Sequence, residues 1–332
     1  MRTSRVRLRC CLLAASGLLW LAGCGRPARE EFPAWAYPVV TARDQAVMAQ
    51  APADDGRVRH VPDSAVGLTR AQFAAHTGII ADWHPEEHPA MPVVVRSGRE
   101  PAVWACAYCH LPNGAGRPEN ASLAGLPEVY LIRQIAEFRR GNRPSSAPGR
   151  GPHATMLAIA HAVNDAEIAE AARYFAALRP RSFLRVVETD EVPRTYVAGS
   201  MLARLPGQAT EPLAGRVIEV PDDLEQTENR DSHTTYTVYA PRGSLARGEA
   251  IVQTGAGGRV PRCASCHGEG LKGLAEVPRL AGRSPSFLMR QLYDLKHGKR
   301  TGQQSALMQP VVAQLSQEDL VAVVAYFASL QP

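Results

Sequence analysis

Lysine is almost missing from this 332-residue chain: Lys272, Lys296 and Lys299 are the only ones. The formal charge of +5 is also less than it looks, because Arg2, Arg5, Arg7 and Arg9 crowd the first residues with no acid among them. Without those four, 33 basic residues face 32 acidic ones. A near-neutral body lacks the electrostatic footprint of a nucleic-acid binder, so that partner is excluded. Cysteine is scarce too, with seven residues, and none can be spared for a disulfide framework.

What those few cysteines do is specific. Four stand in two copies of one pentapeptide, Cys106-Ala-Tyr-Cys109-His110 and Cys263-Ala-Ser-Cys266-His267. A Cys-x-x-Cys-His run is the attachment signature of c-type haem. Its two thiols reach the two vinyl groups of one porphyrin, and the histidine places its imidazole under the iron. Two such runs imply two covalently attached haem c groups.

The remaining cysteines belong to an export signal. After the four arginines, apolar residues run from Cys10 to Ala22, interrupted only by Ser16 and Gly17. That is a signal peptide in charge and length, and it is short for a membrane span. It ends in Leu21-Ala22-Gly23-Cys24, which resembles the bacterial lipobox. The expected product begins at a lipidated Cys24, anchored to a bacterial membrane with its body in the periplasm. Cys10 and Cys11 leave with the signal.

Self-similarity organises the rest. Val94–Gly98 matches Ile251–Gly255 at an offset of 157, which also aligns Leu123-Ala124-Gly125 with Leu280-Ala281-Gly282 and Gln134 with Gln291. After a five-residue difference, an offset of 152 aligns Met156 with Met308 and Tyr174–Leu178 with Tyr326–Leu330. The expected order is a signal at 1–23, an extension at 24–87, modules at 88–180 and 244–332, and an insertion at 181–243. Both modules read as helical. Pro285 opens a helix over 286–297 with Gly298 as its stop, Ser316-x-x-Asp319 starts the last helix, and Asn164 with Glu167 forms a capping box. Phe32, Trp35, Tyr37 and Trp83 are the large anchors of the extension. The insertion carries strand-like pieces at 185–187, 216–220 and 234–239, broken by prolines, and reads as a small β-rich unit or a strap.

His110 and His267 supply one axial position on each iron. Met156 and Met308, equivalent across the repeat, are the candidates for the opposite one. A lone methionine is often only a gap filler, but recurrence downstream of each motif favours ligation. The competitors His153, His161 and His297 do not recur. His/Met coordination fills both axial sites, so the expected role is outer-sphere electron transfer, with no catalytic residues and no small-molecule substrate.

On these motifs the chain resembles the cytochrome c4 family. The resemblance implies a mainly α fold of two tandem class I cytochrome c domains, here with an N-terminal extension and a β-containing insertion. It also implies single-electron traffic with redox partner proteins, such as a membrane oxidase, reductase or dehydrogenase complex. In that family a proline carbonyl orients the ligand imidazole. Pro278 fits the second module, whereas Ala121 stands in the first with Pro118 nearby, so unequal haems are expected. A dihaem cytochrome c peroxidase, the haem c subunit of a membrane dehydrogenase complex, and a zinc protein are the competing readings. Arg139, Arg140, Arg143 and Arg150, and Lys296, Lys299 and Arg300, read as solvated helix ends or as a docking surface for an acidic partner.

Overall fold

Local helix-start chemistry sets where both helical modules begin. The computed structural model describes residues 32–50 and 54–332; the expected signal at 1–23, with Cys10, Cys11 and Cys24, lies outside the described residues. In the first module the helices are Cys106–His110, Glu128–Arg139, Gly151–Ala162 and Asp165–Ala177. Asn164 caps the last of these: its side chain accepts from Glu167 N at 2.9 Å, and Glu167 returns a bond from Asn164 N at 2.8 Å. That reciprocal box satisfies two otherwise orphaned amides. Ile168, Ala172 and Phe175 then fall on one buried face, as the helical period requires.

The second module repeats the plan with Ala264–His267, Pro285–Lys296, Ser305–Ala313 and Gln317–Ser329, preceded by Ser244–Gly258, whose regular helix breaks at the left-handed residues Gly255, Ala256 and Gly257. Ser284 caps Pro285–Lys296 and Ser316 caps the last helix through a box with Asp319. The helix that precedes each haem motif breaks the symmetry. In the first module only one turn, Val93–Arg96, remains. Pro89 and Pro92 stand directly upstream, and the residue before each is held out of helical geometry; His88 sits at φ −142°, ψ 159°.

The insertion is built from strands. Leu184–Glu188 pairs in parallel with Tyr236–Ala240, which pairs antiparallel with Ile218–Pro221 on its other side. Two-stranded ladders join Glu191–Pro193 to Thr210–Pro212 and Thr195–Ala198 to Met201–Arg204. Val217, Ile218, Val220, Val238 and Ala240 are buried in one cluster with Leu288, Leu320 and Val324 of the second module. Glu219, only 1% exposed, bonds the Ser284 hydroxyl at 2.6 Å and lies at the N-terminus of Pro285–Lys296. Burial pushes its carboxyl pKa up, and the serine bonds oppose that.

The extension reaches both modules. Trp35 and Tyr37 are buried with the second module, and the Tyr37 hydroxyl donates to Asp294 Oδ1 at 2.7 Å. Ile80 is buried in the first module's core. Trp83 closes a small cluster with Val61, Leu68 and Phe73, and its indole donates to Asn229 O at 2.7 Å. Phe32, expected as a fourth anchor, is 40% exposed.

One close approach tests the packing. Gly248 lies where Ser244–Gly258 crosses Gln317–Ser329; a Cβ there would stand 2.4 Å from Ala322 O and 2.6 Å from Tyr326 Cβ. Gly248→Ala gains about 1 kcal/mol of helix propensity, but it must move a backbone carbonyl, and overpacking costs about 1–3 kcal/mol. The variant is expected to melt below the parent. An equal or higher melting temperature in a thermal scan contradicts this crossing.

Candidate haem sites

Each haem motif forms one helical turn followed by an abrupt reversal. Leu111 after the first has φ 63°, ψ 153°, and Gly268 after the second has φ 77°, ψ 170°. Backbone at positive φ with extended ψ is nearly confined to glycine, so Leu111 is held there by its surroundings, where it is 1% exposed. The reversal lets Gly116 N donate to His110 O at 2.9 Å and Gly273 N donate to His267 O at 2.8 Å. It also brings a carbonyl onto each imidazole. His110 Nδ1 is bonded to Ala121 O at 2.8 Å, and His267 Nδ1 to Pro278 O at 2.8 Å.

Ala121 O thus orients His110 as Pro278 O orients His267, so the orienting bond itself gives no ground for the unequal haems expected from Ala121. A backbone carbonyl is present whichever side chain stands there, while Pro118 O is taken by Arg290 at 2.7 Å. Burial lowers the pKa of both histidines. Each is therefore a neutral imidazole with Nδ1–H committed to a carbonyl, which leaves the Nε2 lone pair for a metal.

The first motif opens on a cleft of about 680 Å³, inside the roughly 300–1,000 Å³ range of cofactor pockets. Cys106, Cys109, His110 and Met156 all line it, together with Leu131, Ile135, Ile159 and Phe175. The thiols are unpaired, and burial pushes Cys106 up to about 12 and Cys109 to about 11. His153 also borders the cleft, but its Nε2 is bonded to Arg143 O at 2.5 Å. His161 is exposed, and His297 Nδ1 bonds Tyr293 O at 2.9 Å. In the second module His267 is buried and Cys263, like Leu280, Phe287 and Val311, packs against the buried core, while Cys266 is exposed. Met308 is half-buried on Ser305–Ala313, which packs against Pro285–Lys296.

The sequence reading missed an array of arginines at the seam between the modules. Arg117, Arg143, Arg150, Arg279, Arg283 and Arg290 are each 9% exposed or less. Arg279 reaches the Ser122 hydroxyl at 2.8 Å and Arg283 reaches Ser122 O at 3.2 Å. Arg143 bonds Gln134 at 3.1 Å and Thr301 O at 2.5 Å, and Arg300 bonds Gln291 at 2.9 Å and Gln134 at 3.3 Å. The basic residues read as solvated or docking charges are thus largely structural. Arg139 holds Ala160 O at 2.8 Å, and Lys296 holds Leu315 O at 2.6 Å; Arg140 points outward and pairs with Glu137. The available signal was the 157-residue spacing of Arg143 and Arg300, the same that relates Gln134 to Gln291.

Burial holds the guanidinium pKa down, to about 10 for Arg143 and about 9 for Arg279 and Arg290. The buried Nε atoms of Arg150, Arg283 and Arg300 have no hydrogen-bond partner, whereas Arg117 Nε is ion-paired with Glu119 Oε1 at 3.2 Å. Arg117, Arg143, Arg150, Arg283 and Arg290 border the first cleft. A buried cation needs a counter-charge, and a haem c carries two propionate carboxylates. The cleft's volume, thiols, neutral imidazole and unpaired guanidinium donors therefore fit that group.

Fold and site together define a dihaem c-type cytochrome, an electron-transfer protein. The family model for cytochrome c oxidase, cbb3-type, subunit III matches residues 243–327. The chain is 40% identical over 229 residues to cytochrome c4 of Pseudomonas aeruginosa, covering 68% of this chain and 83% of that protein. It is 26% identical to cytochrome c4 of Azotobacter vinelandii, covering 68% and 84%. It is also 25% identical to the thiosulfate dehydrogenase electron acceptor of Thiomonas intermedia, covering 69% and 83%. The chain belongs to the cytochrome c4 family and carries two covalently attached haem c groups.

A unit charge about 10 Å away in an effective dielectric of about 20 is worth about 1.7 kcal/mol. Arg283→Gln removes a buried cation that favours the reduced state. It is expected to lower the potential of at least one haem by several tens of millivolts, on the order of that Coulomb energy. A redox titration that leaves both potentials unmoved overturns this role.

Proposed function

We propose that this protein is exported, anchored to a bacterial membrane through a lipidated Cys24, and passes single electrons between respiratory or dehydrogenase complexes in the periplasm. The cytochrome modules are residues 88–180 and 244–332, flanked by the 24–87 extension and the 181–243 insertion. Cys106 and Cys109, and Cys263 and Cys266, attach the haems; His110 with Met156, and His267 with Met308, ligate the irons. The observation that carries this reading is that Met156 and His110 line one cleft with both attachment cysteines.

Haem c, when bound, supplies one reversible electron at its iron. His110 with Met156, and His267 with Met308, would hold the irons and leave no site for a reactant at the metal, and the protein would shield the centre from water. Thioether ligation raises the potential by favouring the ferrous state. The buried arginines act in the same direction. The relatives named as thiosulfate dehydrogenase electron acceptors support a dehydrogenase that oxidises thiosulfate as the electron donor. Among the described residues no single helix is long and apolar enough to cross a membrane.

Met156→Ala and Met308→Ala are each expected to abolish one methionine–iron charge-transfer absorption and lower one potential. An unchanged spectrum in either variant rejects that ligand. Cys24→Ser is expected to move the protein from the membrane fraction to the soluble periplasm, and retention at the membrane rejects the lipid anchor.

A further inference from the structure

Next to the first haem motif, where Arg230 donates to Tyr108 O at 2.7 Å, the extension and the insertion meet at a histidine-rich cluster. One ligand atom from each of His84, Glu87 and His233 lies within 4.8 Å of the other two. His84 is 1% exposed, and its ring stacks on His233 with centroids 3.7 Å apart. Its Nε2 lies 3.0 Å from Asp231 Oδ1. Asp231 is fully buried, and it also accepts from His233 N at 2.9 Å and from the Gln226 amide at 2.6 Å. With the hydrogen bond to Asp231 assigned to Nε2–H, this tautomer leaves a lone pair on Nδ1.

That Nδ1 is buried and has no hydrogen-bond partner. What stands nearest it in charge terms is another acceptor, Glu86 Oε1, at 4.0 Å. Glu87 Oε2 lies 2.8 Å from His233 Nε2. Two imidazole nitrogens and the Glu87 carboxylate therefore come together, with the exposed Glu86 carboxylate at the edge and one histidine oriented by a carboxylate behind it. Carboxylate–histidine pairs of this kind fix ligand orientation in zinc sites, and two imidazoles with carboxylates are a zinc donor set. Among the described residues the cation against the cluster is the Arg181 guanidinium. It bonds Glu87 and lies 3.4 Å from His233 Nε2, and its side chain is 54% exposed.

We propose that His84, His233 and Glu87, with Glu86, form a site for a divalent cation of the zinc type. Bound there, the metal replaces Arg181 as the counter-charge of Glu87 and ties the extension to the insertion.

The test uses the full-length holoprotein, stripped with a chelator and dialysed against Zn²⁺, reading zinc per chain and melting temperature. One zinc per chain and a raised melting temperature are expected. Glu87→Gln and His233→Asn should each weaken binding on the order of tenfold or more with the haem spectrum unchanged. Arg181→Ala, which removes a competing cation, should tighten it several-fold. Absence of stoichiometric zinc, or an affinity unchanged from the parent in Glu87→Gln or His233→Asn, overturns the site. If either of those variants loses haem, Arg181→Ala decides alone: tighter binding upholds the site, and unchanged or weaker binding overturns it.

Discussion

Positive charge buried at the seam between the modules is the constraint on which this architecture rests. Removing an ion from water costs several kcal/mol, and neutral carbonyls do not return the full amount. Yet Arg279, Arg283 and Arg290 are held mainly by carbonyls and a hydroxyl, with Nε of Arg283 unpaired. The protein alone leaves this seam electrostatically incomplete. A cofactor that brings carboxylates to the cleft supplies what is missing, so docking of the modules and occupancy of the cleft are energetically coupled.

The seam also explains how duplication became interdigitation. Gln134 and Arg143 form a pair inside the first module, and Gln291 and Arg300 repeat it in the second. Each arginine then crosses over: Arg143 to Thr301 O, Arg300 to Gln134 and Tyr130. One local motif, used twice, builds a near-symmetric clasp. The extension and the insertion reinforce it from outside, through Tyr37 on Asp294 and Glu219 on Ser284.

What could be read from the residues follows how local each interaction is. Asn164 with Glu167, Ser316 with Asp319, and Pro285 act within one helical turn, so their helices were legible. Three of the seven insertion strands were legible as β-rich runs; Glu191–Pro193, Thr195–Ala198, Met201–Arg204 and Thr210–Pro212 were not, and the parallel pairing of Leu184–Glu188 with Tyr236–Ala240 joins residues about fifty apart and leaves no local mark. The haem motifs were explicit. The carbonyl on His110 was not, because the main chain at Ala121 supplies it and side-chain identity is silent about it. The arginine array was hidden for a third reason: charge in sequence normally means solvent, and only the fold shows these guanidinium groups inside.

Equal imidazole–carbonyl bonds of 2.8 Å remove ligand orientation as a source of difference between the two centres. Their surroundings differ sharply instead. Phe73 and His76 of the extension, and Met201 and Arg230 of the insertion, help to line the first cleft, with His76 stacked on Trp104 at 3.9 Å and Arg230 over the Tyr108 ring at 3.5 Å. The second motif keeps Cys266 at the surface. Burial strengthens charge interactions in the first cleft, whereas solvent at the exposed Cys266 screens those near the second motif. A difference in potential between the haems therefore has its source in what the two added segments cover, and those segments lie outside the repeat that makes the modules alike.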